Sequence, residues 1–97
     1  MYVVVSKWSL NPGKEDAFKQ TGKAMRQEIR SWPGVNLVHS FQSDSGGIVA
    51  IVGYNSEEEY HRLIDGPDSH FARAAVKHNI ESYGTWEWSE RGKTESD

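Results

Sequence analysis

A histidine on a short helical segment is the residue of this chain best suited to proton transfer. The segment 69–79 carries apolar side chains at helical spacing, and the same spacing takes in a histidine. The residues on that stripe are Phe71, Ala74, Ala75 and His78. His78 is thereby predicted to face inward, where it can accept a proton from a phenol or an activated C–H bond. The competing interpretation is a packed histidine that is hydrogen-bonded to a backbone carbonyl or a neighbouring side chain.

The other three histidines are weaker candidates. His70 falls in the first turn of the same segment, where the helix dipole favours neutral imidazole, so it is either a second donor or base or a surface or capping residue. His39 shares a strand face with apolar residues, which is typical of a core or an interface. His61 lies among charged residues and is expected to face solvent. Because no two histidines stand at a metal-binding spacing and the chain has no cysteine, no metal site is predicted.

Large aromatic side chains are numerous for a chain of this length. Those that could line a pocket for a planar ligand, through stacking and edge contacts, are Trp8, Trp32, Tyr54, Trp86 and Trp88. For any one of these rings, packing in the core or in a dimer interface is the simpler role. Trp32 in particular ends a helical stripe and is expected to pack inward.

The composition is that of one ordinary globular domain. The chain has 97 residues, 26% of them charged, and a formal net charge of -3. The 11 Lys and Arg residues form no cluster, which argues against a nucleic-acid partner. No apolar run approaches the roughly 20 residues needed to cross a bilayer, so no membrane association is predicted. No secretion signal is recognisable at the start, and the expected location is cytoplasmic.

The apolar pattern divides the chain into four strands and two helical regions. Strands are predicted at 2–10, 35–43, 47–54 and 81–90, and a first helix at 14–32. A capping box formed by Ser56 and Glu59 begins the second helical region, and turn residues at 65–68 break it before the segment 69–79. Residues 1–91 are expected to form the domain, followed by a polar tail at 92–97.

Side-chain alternation predicts which residues share a face of each strand. In the second strand Val35 is expected on the same face as Leu37, His39 and Phe41. In the last strand Trp86 and Trp88 are expected on one face. The order β-α-β-β-α-β predicts an α+β fold of the ferredoxin-like type, with both helical regions on one side of an antiparallel sheet.

Two strands predict that a second copy of the chain covers the other side of the sheet. Residues 48–52 are five consecutive apolar residues, and residues 2–5 are similarly apolar, so both faces of these strands should be buried. One layer of helices covers only one face. The open face is therefore expected to pair with the same face of a partner, as a homodimer of two face-to-face sheets.

Several segments of the chain resemble the antibiotic biosynthesis monooxygenase-like family of the dimeric α+β barrel superfamily. The resemblance runs from Tyr2 to about Arg91, and it rests on the stretches VSKWSLNPGK at 5–14, WPGV at 32–35, YNSEE at 54–58 and PDSHF at 67–71. The resemblance implies a dimeric α+β barrel with a pocket between the helices and the sheet of each subunit. Some members oxygenate electron-rich aromatic polyketides there without flavin, haem or metal, whereas others degrade haem, act as isomerases or have no assigned activity.

The haem-degrading branch of that family is not expected here. Its members carry an Asn on the first strand, a Trp at the end of the third and a haem-ligating His in the second helical region. The matching positions in this chain are Ser6, Tyr54 and Ala74 or Ala75, and all of them depart from the pattern.

The leading hypothesis is a cofactor-independent monooxygenase that acts on a small electron-rich aromatic compound as a homodimer. His78 or His70 would be the catalytic base, and Ser6 and Tyr54 would orient the substrate oxygen. The walls of the pocket would be Trp8, Phe71 and Trp86. The alternatives are a non-catalytic dimeric protein that binds a small molecule or serves as a structural partner, and an isomerase or lactone-converting enzyme that uses the same pocket.

Overall fold

A four-stranded antiparallel sheet with helices packed on one of its faces forms the structure, a computed structural model that describes residues 1–95. The elements are β1 (Tyr2–Leu10), α1 (Glu15–Arg30), β2 (Val35–Gln42), β3 (Ile48–Tyr54), α2 (Glu57–Ile64), α3 (His70–His78), a single 3₁₀ turn (Ile80–Ser82) and β4 (Gly84–Lys93). The strand order is β2-β3-β1-β4, so β2 and β4 are the edge strands. The predicted ferredoxin-like α+β fold is confirmed.

The breaks between the helices follow from their capping residues. Ser56 accepts a hydrogen bond from the backbone N–H of Glu59 at the start of α2, which is half of the predicted capping box. Ser69 does the same for Ala72 at the start of α3. Asn79, with a φ of 55°, ends α3 in the left-handed conformation that asparagine tolerates. The predicted break at 65–68 therefore separates two short helices.

The core lies between the helices and one face of the sheet, here called the helix-facing side. The buried stripe of α1 consists of Phe18, Gly22, Met25 and Ile29. Leu63 of α2 and Ala74 of α3 are almost completely inaccessible to solvent. Burying such side chains supplies most of the stability of a small domain, because each removes apolar surface from water.

The last strand differs from its prediction in position and in the faces of its tryptophans. It begins at Gly84, since the residues before it form the 3₁₀ turn, and it pairs with β1 as far as Lys93 instead of ending at residue 90. A β-bulge in β4, opposite the step from Lys7 to Trp8 of β1, pairs Lys7 with Trp88 but Trp8 with Trp86. Trp86 therefore lies on the helix-facing side and Trp88 on the opposite face. The expectation that they share a face was wrong.

A second irregularity changes the face of one residue in β2. Val35 pairs with Tyr54, whereas Leu37 pairs with the adjacent Gly53, so the alternation is interrupted between them. Val35 packs against the core, and Leu37, His39 and Phe41 lie on the opposite face. The prediction that Val35 shares their face was wrong for the same physical reason: a bulge inserts one residue into the alternation.

The other face of the sheet, here called the open face, is largely apolar. Its residues include Val3, Val5, Leu37, Phe41, Val49, Ile51 and Trp88. Phe41 and Trp88 expose 53% and 44% of their surface. Within residues 1–95, the helices pack on the helix-facing side, and none of them is long and apolar enough to cross a membrane. The partner predicted to cover the open face stays a prediction.

Candidate functional site

A cavity of about 350 Å³ lies between the helix-facing side of the sheet and the helices. Its volume falls in the range of small-molecule sites, and its lining is mostly apolar, which is typical of such sites. The sheet contributes alternate residues of β1 and β3, together with three residues of β4. The helices contribute the inner faces of α1 and α2, and Phe71 of α3.

All five residues predicted to bind substrate line this cavity. They are Ser6, Trp8, Tyr54, Phe71 and Trp86. Ser6 and Trp8 are there because every second residue of β1 points to the helix-facing side. Trp86 is there because of the bulge, which places it opposite Trp8. The structure thus brings the set together, although the role of each residue stays a prediction.

The β4 side of the cavity lies at an edge of the sheet and is lined by exposed residues. Trp86 exposes 56% of its surface and Arg91 is also exposed, yet both line the cavity. Deeper in, the ring of Trp8 lies against that of Phe18, with their centroids 5.9 Å apart. A planar ligand entering along β4 would therefore contact Trp86 first and Trp8 further inside.

Two buried tyrosines place hydroxyl groups at the end of the cavity near the start of β1. The rings of Tyr54 and Tyr60 meet edge to face, with centroids 5.2 Å apart, and both residues line the cavity. Burial raises the pKa of Tyr54 far above its ordinary value. Burial also raises the pKa of Tyr60, against the opposing effect of the Arg91 guanidinium. Both phenols are therefore protonated hydrogen-bond donors at neutral pH.

Arg91 places a positive charge beside Tyr60. Its Nη1 donates a hydrogen bond of 3.0 Å to the hydroxyl oxygen of Tyr60, and its guanidinium carbon lies 5.9 Å from the centre of that ring. Since Tyr60 accepts this bond, its own O–H is available to donate to a ligand. Arg91 thus polarises Tyr60 toward the cavity.

A second guanidinium, that of Arg26, reaches the cavity from α1. It lies over Gly22, one turn earlier on the buried side of the helix: a Cβ atom at Gly22 would stand 3.0 Å from its Nη1. None of the ion pairs within residues 1–95 includes Arg26. Burial, and then the like charge of Arg30, lower the pKa of Arg26, as expected for a charge without a counter-ion.

The two histidines predicted to be catalytic lie elsewhere. Nε2 of His78 is 3.1 Å from Oε1 of Glu28, which also accepts a hydrogen bond of 2.8 Å from Nζ of Lys77. This cluster joins α3 to α1. The ring of His70 stands edge-on to that of Trp32, with centroids 5.5 Å apart. Neither histidine is among the cavity-lining residues of the described chain, and the contacts of His78 match the competing, structural interpretation.

The remaining histidines are both exposed, as predicted for His61; His39 is not in the core, and its place in an interface stays a prediction. His61 is exposed and interacts with Glu57 of its own helix and with Asp65, the residue that follows that helix, and these two carboxylates raise its pKa. His39 shares the open face with Leu37 and Phe41. Residues 1–95 contain no group of three or more His, Asp or Glu side chains placed to hold a metal ion.

Five polar residues of the cavity were not anticipated from the sequence. They are Arg26, Tyr60, Glu81, Ser89 and Arg91. Two signals could have found Arg26 and Arg91. Gly22 stands inside a strong helical stripe, where only a close approach by another group explains glycine. Arg91 was assigned to the end of the domain because β4 was predicted too short, and pairing it with Val4 would have placed it beside the cavity.

Comparison with solved structures shows which proteins share this fold. The cofactor-independent oxygenase SnoaB from Streptomyces nogalater superposes with a TM-score of 0.78 at 12% sequence identity, covering 99% of this chain and 94% of its own. A protein from Deinococcus radiodurans named for the antibiotic biosynthesis monooxygenases gives a TM-score of 0.76 at 15% identity, covering 100% and 95%. An antibiotic biosynthesis monooxygenase gives 0.71 at 15% identity, covering 100% and 99%.

Sequence comparison alone identifies no relative. No protein-family sequence model matches the chain, and no curated protein matches it. The agreement with the solved structures nevertheless spans almost the whole of each chain, and it confirms the predicted resemblance at the level of the fold. This chain has the fold of the antibiotic biosynthesis monooxygenase-like proteins.

Proposed function

We propose that this protein is a monooxygenase that oxygenates a small electron-rich aromatic compound without flavin, haem or metal. One observation carries the proposal: a cavity of ligand size combines aromatic walls with protonated hydroxyl groups, one of them backed by a guanidinium. Several proteins of the same fold are named monooxygenases, and SnoaB is named a cofactor-independent oxygenase, which supports the reaction type.

The reaction needs a substrate that supplies its own electrons. An anthrone or a hydroquinone loses a proton to give an anion, which passes one electron to dioxygen and so avoids the slow spin-forbidden reaction. The resulting radical pair combines to form a C–O bond. The hydroperoxide then loses water. In an anthrone the activated CH₂ group and O₂ thereby give a C=O group and H₂O. In a hydroquinone a ring C–H becomes C–OH while the hydroquinone is oxidised to the quinone, and the second oxygen atom again leaves as H₂O. All the electrons that reduce dioxygen come from the substrate.

The protein's contribution in this proposal is to hold the anion in a water-poor site. Tyr60 donates a hydrogen bond to the substrate oxygen, and Arg91 strengthens that donor. Ser6 and Tyr54, which line the same cavity, orient the substrate oxygen. Trp8, Phe71 and Trp86 hold the ring plane. Stabilising the anion lowers the pKa of the bound substrate, so the proton is lost more readily.

The structure gives little support to the hypothesis that His78 or His70 is the catalytic base. His78 is engaged by Glu28 and His70 packs on Trp32, both away from the cavity. Their role as base stays a prediction. In our proposal a water molecule at the mouth of the cavity beside β4 accepts the proton, and substrates that are already acidic react fastest.

The open face is proposed to form a homodimer with the same face of a second copy. Its apolar residues on three adjacent strands, together with the exposed rings of Phe41 and Trp88, support this proposal. Sedimentation of the wild type should show a dimer, and Phe41→Glu should shift it toward monomer. Val76→Glu is the matched control, because Val76 is also exposed but lies on α3. A wild-type protein that sediments as a monomer would contradict the dimer.

Oxygen uptake with a panel of anthrones, naphthohydroquinones and related phenols tests the activity. The expected result is stoichiometric oxygen consumption without added cofactor, with one atom of labelled dioxygen in the product. The double variant His70→Ala/His78→Ala tests the base assignment on the same substrate: unchanged turnover would rule out both histidines as the base. If compounds of the panel bind to the protein and none of them consumes oxygen, the proposed reaction is wrong.

A non-catalytic protein that binds a small aromatic molecule is the second candidate. The placement of both histidines outside the cavity favours it, because no imidazole of the described residues then faces a bound ligand. This candidate predicts tight binding of planar molecules with no oxygen consumed. Conversion of a ligand without oxygen uptake would instead indicate isomerase or lactone chemistry.

A further inference from the structure

The guanidinium of Arg26 is a charge in the cavity that the proposed reaction does not use. It belongs to α1, on the opposite side of the cavity from the sheet, and it is partly buried. None of the ion pairs of residues 1–95 engages it, and the charge that lowers its pKa together with burial, that of Arg30, is of the same sign. A desolvated cation without a counter-ion costs free energy, which an anionic ligand would offset.

The helix makes room for this guanidinium. Gly22 is buried in the middle of α1, where glycine costs about 0.5–1 kcal/mol relative to alanine. Its φ is not positive, so the backbone does not require glycine. What glycine provides is space: a Cβ atom there would stand 3.0 Å from Nη1 of Arg26. The absence of that side chain lets the guanidinium lie against the helix at the cavity wall.

The other charged residues of the cavity leave Arg26 unneutralised. Arg91 is a second cation, and its Nη1 is bound to Tyr60. Glu81 is the one carboxylate among the lining residues of the described chain, and it is exposed on the 3₁₀ turn at the mouth. The cavity therefore holds two cations against one solvated carboxylate. Its aromatic walls select a planar ring, and its charge selects an anion.

We propose that Arg26 is a specificity-determining residue that selects planar aromatic ligands bearing an ionised acidic oxygen, a carboxylate or an acidic phenolate. The planar guanidinium fits either oxygen group, and it fits a carboxylate through two parallel hydrogen bonds. This inference names the substrate class of the proposed oxygenase, and it rests on the cavity being the substrate site.

Calorimetric titration at neutral pH with two probes tests the inference without requiring turnover. Naphthoate carries a carboxylate, and naphthamide is its uncharged counterpart of nearly the same shape. Wild-type protein should bind naphthoate about 10-fold or more tightly than naphthamide. Arg26→Gln should bind the two almost equally. Lys23→Gln removes one positive charge from an exposed position of the same helix and should leave the preference unchanged.

Naphthol and a more acidic nitronaphthol extend the test to phenolates. Tighter binding of the ionised nitronaphthol in the wild type, lost in Arg26→Gln, would assign the site to acidic oxygens in general. A preference for naphthoate alone would restrict it to carboxylates. Equal binding of naphthoate and naphthamide by the wild type, a preference that survives in Arg26→Gln, or no binding of either probe would overturn the inference.

The same titrations separate this inference from the proposed reaction. Selective binding of naphthoate combined with a lack of oxygen uptake across the panel would uphold the role of Arg26 and refute the oxygenase. Oxygen uptake with neutral aromatic compounds that is unaffected by Arg26→Gln would uphold the oxygenase and refute the role of Arg26. Arg26→Lys is the conservative variant, and it should recover part of the preference because it keeps the charge but loses the planar fork.

Discussion

Trp8 of β1 lies directly opposite Trp86 of β4, whereas the residue before it, Lys7, lies opposite Trp88. One extra residue, Glu87, is accommodated between these two pairs. The bulge therefore assigns one tryptophan of β4 to the cavity and the other to the open face. Two aromatic rings only two residues apart in sequence thus lie on two separate surfaces, the cavity and the open face, which we propose to be a ligand site and a subunit interface.

We expect substitution of the two tryptophans to affect different properties, ligand binding for Trp86 and dimer formation for Trp88. Trp86→Ala should weaken binding of a planar aromatic probe by about 10-fold, an effect of the size expected for the loss of an aromatic contact, and should leave the sedimentation coefficient unchanged. Trp88→Ala should weaken the dimer and leave probe affinity unchanged. Calorimetry and sedimentation velocity on both variants check this. If both variants lost probe binding equally, the two rings would belong to one surface, contrary to the register.

The general fold was predictable because it depends on local patterns. The helical stripe of α1 and the serine caps of α2 and α3 are visible in the sequence, and they produced the right element order. The faces of Trp86 and Val35 were not predictable. Each depends on a bulge, which is set by pairing with a distant strand and leaves no mark in side-chain alternation.

The cavity was predictable in its aromatic part and not in its charged part. Alternation along β1 and β3 is enough to bring Ser6, Trp8 and Tyr54 to one face. The direction of His78 depends on Glu28, a partner 50 residues away in sequence that the helical stripe does not reveal. For the same reason Arg91 could not be connected with Tyr60, since their hydrogen bond joins an edge strand to a helix.

Removing the hydroxyl of Tyr60 should slow oxygenation more than it weakens binding. In our proposal this group donates to the substrate oxyanion, whose charge is greatest during the reaction, so Tyr60→Phe should lower kcat by about 10²–10³-fold with a small change in KM. Steady-state oxygen uptake measures both constants. Tyr2→Phe is the matched control, because Tyr2 is buried against Tyr60 with ring centroids 5.1 Å apart but is not among the lining residues. A similar loss in both variants would indicate a packing effect.

The cluster of Glu28, Lys77 and His78 should make stability depend on pH in the acidic range. The hydrogen bond from Lys77, and then that from His78, lower the pKa of Glu28 below its ordinary value of about 4.5. A carboxyl group whose pKa is lower in the folded than in the unfolded state stabilises the fold above its unfolded pKa. That stabilisation is lost as the pH falls through the folded pKa.

Urea unfolding between pH 3 and pH 7, roughly one measurement per pH unit, checks this linkage. The free energy of unfolding of the wild type should fall below about pH 5. Glu28→Gln should be less stable at pH 7 by about 0.5–1 kcal/mol, the size expected for a partly exposed ion pair, and should lose less stability on acidification. An identical pH dependence in both proteins would show that the cluster does not couple α3 to α1 energetically.

Gly22→Ala should change stability and ligand selection in opposite directions. Alanine is the better helix former by about 0.5–1 kcal/mol, and the backbone of α1 at this position accepts it, so the melting temperature should rise or stay the same. Its Cβ would stand 3.0 Å from Nη1 of Arg26, and the flexible guanidinium is the group that can move away. The preference for naphthoate over naphthamide should therefore decrease while affinity for naphthamide is retained.

A variant that is more stable and equally selective would show that glycine at this position does not serve to place the guanidinium. A variant that loses affinity for both probes would show that the methyl group blocks the cavity itself.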